Sequence, residues 1–440
     1  MTATLLLPRW ILTMKPGEPV LEGHALLIEG ERIAAIGPRE ALLAQYANAV
    51  RIELPEQVLI PGLINAHTHS AMTLLRGVAD DLQLMDWLQN HIWPLEKVWV
   101  SDDWVFQGSL LAAAESLRAG VTYLNDMYFF PGAMARAAID AGIRAAVSIN
   151  VIDFPTGYGS GPDDYIAKGL AAYHQFKGEK LLDWTSAPHA PYTVSDETFI
   201  KLRKLAEEHD LQIHCHIHET AGEVADSVKQ YGMRPLARLE KLGLMSERLI
   251  AVHMVHLDES EIAMLAAKGV HLVHNPNSNL KLASGIAPVK ALEAVGVNTV
   301  LGTDGAASNN RLDMLGEIRS AALLAKGATG DPEVVTARTA LEMATIRAAK
   351  AMGREADLGS LEVGKLADVV AVSLGSVECR PVYNPLAQLV YVAGREHVQN
   401  VWVGGRRVLN ERQITSFDVG ALMGRCEHIV GRMKAGMAVS

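Results

Sequence analysis

The sequence predicts an α/β fold: a (β/α)8 TIM-like barrel, with a small composite β-sandwich domain built from both chain ends. Three observations carry this expectation. Between residues 58 and 360, short apolar strand-like runs alternate with amphipathic helical stretches, the pattern of βα units around a parallel sheet. The flanking segments, 1–57 and 361–440, are instead mostly short β-rich runs divided by tight turns. Histidines and acids gather at the carboxyl ends of the central strands, the face on which barrel active sites are built.

The first stretch, "MTATLLLPRWILTM", reads as a strand; it contains Pro8 and Arg9 and lacks the small-residue cleavage site of a signal peptide. "GHALLIEGERIAAIGP" alternates and turns at Glu29-Gly30-Glu31. At the other end, "GKLADVVAVSL" and "VQNVWVGGRRVLN" are β-rich, the second turning at Gly404-Gly405. Neither end can bury a sheet alone, so the two are expected to join. Eight strand candidates lie between them: "VLIPGLINAH", "VTYLNDM", "RAAVSIN", "LLDWTSAPH", "LQIHCHIH", "LIAVHMV", "HLVHN" and "NTVLGTD". Helical segments such as "DETFIKLRKLAEEH" and "DESEIAMLAAKG" separate them. A doubly wound sheet would bring a Gly-rich phosphate turn after an early strand, and none is present.

Composition narrows the partners. The 440 residues carry a net charge of −10 without a basic patch, which argues against nucleic acid and anionic membranes. No uncharged apolar run reaches the roughly 18–20 residues of a spanning helix. Three dispersed cysteines (Cys215, Cys379, Cys426) suit a reducing compartment, and the cytoplasm is the expected location.

His67, His69, His189, His216, His253 and Asp304 all fall at or just past strand ends. In "HTH" the i, i+2 spacing turns both side chains to one face of a strand. Imidazole nitrogens and carboxylates are zinc-type ligands, and catalytic sites keep a position open for water. Tying His67 and His69 to backbone carbonyls is the bland alternative. In "IHCHIHET", His214, His216 and His218 share one parity. His216 is chosen as ligand because His216-x-x-Glu219 lets a carboxylate reach back over the site; His214 is read as a packed core histidine and His218 as structural.

"PGLINAHTH", "HCHIHET", "AVHMVHL", "HNPNSNLKLASGIAPV" and "GTDGAASNN", in that order, resemble the amidohydrolase superfamily of metal-dependent barrel hydrolases. "DWLQNHIWPLEK", "APHAPYTVS" and the loop after the seventh strand resemble, more narrowly, its deaminases of 5′-methylthioadenosine and S-adenosylhomocysteine. The resemblance implies one divalent metal, with zinc the first choice, held by His67, His69, His216 and Asp304. Two-metal members use a modified lysine on the fourth strand, and "LLDWTSAPH" has none. It implies hydrolytic removal of the amino group at adenine C6. Asp304 would orient the water and take a proton, Glu219 would protonate N1 and then the leaving ammonia, and His253 would stabilise charge on the attacking oxygen. Glu219 could instead cap the run "TAGEVADSVKQ". His256, after His253, is read as structural, and His274 is left outside the site.

For the substrate, the resemblance implies that Glu96 binds the ribose hydroxyls, that Trp87 forms an apolar wall and that His189 bonds purine or ribose. Members that take S-adenosylhomocysteine are expected to pair its carboxylate with arginine after the third strand. "SINVIDFPTGYGSGPDDYIAKG" has no arginine and carries Asp153, Asp163 and Asp164, so 5′-methylthioadenosine, with adenosine, is expected to be preferred. Rivals are guanine deaminase, a triazine hydrolase of the same architecture, and a barrel that binds nucleoside or metal without turnover. The zinc deaminases with a P-C-x-x-C signature are excluded, because no cysteine pair exists. A homodimer or tetramer is expected.

Overall fold

In the computed structural model, which describes residues 3–437, eight strands form one sheet in strict sequence order. They are β1 (Leu63–Thr68), β2 (Val121–Asp126), β3 (Arg144–Val151), β4 (Leu182–Pro188), β5 (Gln212–Ile217), β6 (Leu249–His253), β7 (His271–His274) and β8 (Asn298–Leu301). From β3 to β8 every neighbouring pair is parallel. The ring closes where Asp304 N, just past β8, donates to His67 O of β1 at 3.0 Å. This is the (β/α)8 barrel. Each parallel pair needs a crossover, and the helices between strands supply it.

Local sequence explains the helices. Asp196–His209 starts behind Ser195, whose hydroxyl accepts from Thr198 N. Glu259–Lys268 opens with a capping box between Asp258 and Glu261 and stops at Gly269, whose φ of 67° favours glycine. Buried positions on these helices face the strands, which are themselves buried on both sides.

A second sheet of nine strands joins the two chain ends. Its order is Gln413–Ile414, Arg406–Asn410, Val398–Val403, Val369–Ser373, Val50–Pro61, Thr4–Ile11, His24–Glu29 and Arg32–Pro38, with Leu21–Glu22 paired to Thr4–Ile11. The ends meet where Val369–Ser373 runs antiparallel to Val50–Pro61, Val370 opposite Ile60. Leu6, Ile11, Leu26, Leu59, Val369 and Trp402 form one apolar cluster of this domain, and Leu5, Leu7, Ala25 and Leu27 another. Alternation along the strands sends neighbours to opposite faces.

Two features differ from the sequence reading. The run "VLIPGLINAH" is two strands, Val50–Pro61 of the nine-stranded sheet and β1 of the barrel, parted at Gly62. A Cβ on Gly62 would lie 2.0 Å from Thr122 Oγ1, so only glycine fits there. The second difference concerns boundaries. One compact unit holds the chain up to Asn65, Ala114–Tyr123 and Asp313–Phe417; the other holds Ala66–Ala113, Leu124–Leu312 and the chain from Asp418. A division at 57/58 falls inside the strand Val50–Pro61 and does not coincide with these units. The helix Val419–Met437 packs with the barrel unit, burying Leu422, Cys426 and Met433, and Arg425 Nε donates to Gln107 Oε1 at 2.9 Å.

Candidate metal centre and active site

β1 brings two of the expected ligands to one place. His67 and His69, two residues apart, stay on the same side of the backbone, and Nε2 of each lies 3.2 Å from Asp304 Oδ1. β5 adds His216, whose Nε2 is 3.2 Å from His67 Nε2. The ligand atoms of His67, His69, His216 and Asp304 all lie within 4.8 Å of one another.

Hydrogen bonds behind these groups decide what they can bind. His69 Nδ1 donates to Met127 O at 2.6 Å, and His216 Nδ1 donates to His189 O at 2.8 Å. A neutral ring that donates at Nδ1 carries a lone pair at Nε2. Two such lone pairs therefore converge on a carboxylate, an arrangement that a cation completes. Asp304 is fixed as well: Gly305 N donates to Oδ1 at 2.8 Å and Ser278 Oγ donates to Oδ2 at 2.6 Å.

Electrostatics agree. Burial pushes His67 down to about 4 and His189 down to about 3, and holds His216 well below the ordinary imidazole range. Burial would raise Asp304, but its contacts with the His67 and His69 rings hold it well below the usual carboxylate range. His69 goes up to about 9 against its own burial, because it faces that carboxylate. Positive charge is favoured beside Asp304 and disfavoured on most of the rings. Neutral imidazoles plus one carboxylate fit a divalent cation, and three nitrogens with one oxygen form a zinc-type set.

Glu219 stands next to this cluster, 3% exposed. β5 ends at Ile217, and His218 takes a left-handed φ of 55°, which turns the chain and ends the strand parity there. Glu223 then clamps the turn, accepting from His218 N at 3.0 Å and Glu219 N at 2.8 Å. Thr220, and not Glu219, caps the following helix Ala221–Tyr231. Ser284 Oγ donates to Glu219 Oε1 at 3.3 Å. Burial pushes the Glu219 carboxyl up, toward the protonated form. His253, ending β6 with φ 74°, places Nε2 3.6 Å from Glu219 Oε2, and its Nδ1 donates to Asn279 Oδ1 at 2.8 Å.

A cavity of about 260 Å³ opens over these groups. His69, His216, Glu219, His253 and Asp304 line it, together with Trp87, Glu96 and His189; His67 lies behind them, fully buried. Trp87 begins a π-helical turn, Trp87–Ile92, that runs into the helix Trp93–Trp99 carrying Glu96. Such turns recur at functional sites. Tyr128 Oη donates to Glu96 Oε1 at 2.6 Å, and burial pushes that carboxyl up to about 7. His189 Nδ1 lies 2.9 Å from Thr193 Oγ1.

Other histidines have different neighbours. His218 Nδ1 donates to His256 O at 3.1 Å, and His256 Nε2 donates to Ser284 O at 2.8 Å, so both pin loops. His274 is buried outside the cavity lining. Sequence reasoning missed Tyr128, Thr193, Glu223, Ser278, Asn279 and Ser284. Glu223 and Thr193 had a usable signal, a polar residue four positions after a candidate site residue. The serines and Asn279 lie in "HNPNSNLKLASG", a polar stretch after a buried strand; nothing local pointed to Tyr128.

Residues 58–408 match the amidohydrolase family, and residues 25–49 match the bacterial imidazolonepropionase-like composite domain. Relatives from Saccharophagus degradans and Teredinibacter turnerae, both named 5-methylthioadenosine/S-adenosylhomocysteine deaminase, are 47% and 46% identical. The first alignment covers 93% of this chain and 92% of the relative, the second 92% of each. Among solved structures, an adenosine deaminase from Xanthomonas campestris with bound zinc aligns at a TM-score of 0.97 and 46% identity over 99% of both chains. An atrazine chlorohydrolase from Arthrobacter aurescens, complexed with zinc, aligns at 0.90 and 25% identity over 97% of this chain and 100% of its own. With the match spanning most of its length and relatives near half identical, the chain belongs to the amidohydrolase family.

Proposed function

We propose that this chain is a metal-dependent aminohydrolase that converts 5′-methylthioadenosine, and adenosine less well, to the inosine analogue and ammonia. The names of its relatives and of its structural neighbour support that reading. The observation that carries it is Glu219: a buried acid, its carboxyl pushed up by burial, lining a nucleoside-sized cavity beside the His67–His69–His216–Asp304 cage.

A divalent cation in the cage, with zinc our choice, would make water nucleophilic near neutral pH. The protein's own groups do the rest. Glu219 gives ring N1 its proton as water adds to C6, and afterwards carries the proton of the new C6 hydroxyl to the departing amine, which leaves as ammonia as the C6 carbonyl forms. Asp304, its Oδ2 held by Ser278, orients the water and takes up its proton. His253, its Nδ1 held by Asn279 Oδ1 and its Nε2 3.6 Å from Glu219 Oε2, stabilises charge on the attacking oxygen. Trp87 and the aromatic rings around it exclude bulk water, Glu96 accepts from the ribose diol, and His189 bonds the nucleoside.

The 5′ substituent meets the loop after β3, where Phe154, Pro155, Thr156, Gly157 and Tyr158 line the cavity. Lys97 is the only lysine or arginine among the described lining residues, a point charge where a carboxylate would prefer a fork. This favours the uncharged methylthio group over the homocysteine tail. The catalytic barrel is assigned to 58–360, the protein to the cytoplasm, and the assembly to a homodimer or tetramer. No helix among the described residues is long and apolar enough to cross a membrane.

The test is a substrate panel of 5′-methylthioadenosine, S-adenosylhomocysteine, adenosine and guanine, read by ultraviolet absorbance and ammonia release. Methylthioadenosine should lead in kcat/KM and guanine should be inert. Parity of S-adenosylhomocysteine would overturn the reading of the β3 loop, and nucleoside binding without ammonia would overturn catalysis. Glu96→Gln should cost about 10- to 100-fold in nucleoside kcat/KM, the worth of a hydrogen bond to a charged group, and leave any free-base turnover unchanged.

A further inference from the structure

Each ligand histidine has a group behind it, but the three groups are not alike. His69 and His216 hand Nδ1–H to the backbone carbonyls of Met127 and His189. His67 has a different group in that place: its Nδ1 lies 2.9 Å from Nε2 of His214, another imidazole, with the rings edge to face at 84°. Both side chains are fully buried. A contact between two ring nitrogens at this distance holds one proton, and there are two ways to place it. If His214 donates, a neutral His67 carries its own proton on Nε2, pointed at Asp304 and His216, and cannot ligate. If His67 donates, its Nε2 lone pair faces the cage.

We infer that His214 is a positioning residue of the metal centre: by accepting the Nδ1 proton of His67, it fixes the tautomer and ring orientation in which Nε2 binds a divalent cation. The inference rests on the reading of the cage as a metal site. It replaces the view of His214 as a packed core histidine. His214 Nδ1, which then carries the second proton, has no hydrogen-bond partner among the described residues. A residue selected for packing alone would leave neither an unpaired buried polar atom nor a nitrogen at bonding distance from a ligand. β5 thus supplies two inward histidines at i and i+2, His216 to the cation and His214 to the ligand beside it.

Two measurements test this on the whole enzyme loaded with zinc. In wild-type protein carrying ¹⁵N-histidine, nuclear magnetic resonance should find His67 protonated at Nδ1 and His214 unprotonated at Nε2. A proton on His214 Nε2 overturns the inference without any variant having to fold. Zinc affinity, by competition with a chromogenic chelator, should fall about 10- to 100-fold in His214→Phe, the usual cost of losing an outer-shell partner. His214→Gln, whose side-chain carbonyl can occupy the Nε2 position, should recover most of it. Unchanged affinity in His214→Phe, or equal loss in both variants, overturns the inference. Wild-type protein that takes up no zinc overturns the metal centre itself, a separate and recognisable result.

Discussion

Asn279 illustrates how little of this site's precision resides in the residues that touch substrate. Its Oδ1 accepts from His253 Nδ1, and that bond decides which face of the ring is left for chemistry. Asn279→Ala should lower kcat by about 10- to 100-fold, part of what an acid–base group supplies, with KM little changed in steady-state assays. Glu223 works on the backbone, holding the amides of His218 and Glu219, and burial pushes its carboxyl up to about 7. Between the ordinary carboxylate range and pH 7 the folded chain keeps this proton and the unfolded chain has lost it. Stability from this group therefore falls as pH rises through that window. Glu223→Gln should flatten that decline in thermal melts between pH 5 and 7, while lowering stability throughout by about 1–3 kcal/mol, since its amide NH2 cannot accept. The four residues proposed as ligands could be named in sequence from their strand-end placement together with the family resemblance, because few residue types bind a cation. The positioning residues were not, because almost any polar type can donate or accept, and loop geometry selects which one does.

Strand ends carry the working groups, and they do so in strained backbone. His253 and Asp304 have φ of 74° and 61°, a conformation that side-chain-bearing residues seldom adopt and that costs about 1–3 kcal/mol each. Neighbouring elements hold them there. Gly302, just past β8, lets that strand approach β1: an added Cβ would lie 2.6 Å from Asn275 Oδ1 and 2.9 Å from His67 N. Gly302→Ala should cost about 1–3 kcal/mol of stability and weaken zinc binding, read by calorimetry and metal titration on the same sample. The hairpin at Gly404-Gly405, both with positive φ, was readable because turn chemistry is local. Hydropathy alone could not separate Val50–Pro61 from β1, since both are apolar strands and only a three-dimensional approach parts them at Gly62. Nor could it announce the π-turn at Trp87, which periodicity reads as ordinary helix.

For the molecule as a whole, the proposed ligands come from β1, β5 and the segment after β8, so a bound cation would link parts of the chain more than two hundred residues apart. Removing it with a chelator should abolish deamination and lower the melting temperature, and zinc should restore both. At a thousandfold excess over Kd the bound ion stabilises by about 4 kcal/mol. A melting temperature indifferent to chelation would contradict this. The eight-strand order was legible because parallel βα units have essentially one handedness of connection, whereas the membership of the last helix was hidden among β-rich neighbours. That helix, Val419–Met437, brings Gly436 against Trp99, the last residue of the helix that bears Glu96. A purification handle or carrier protein spliced behind it would therefore not be a neutral addition. Kinetic constants for nucleosides should be compared between amino-terminal and carboxyl-terminal fusions before either is taken as native.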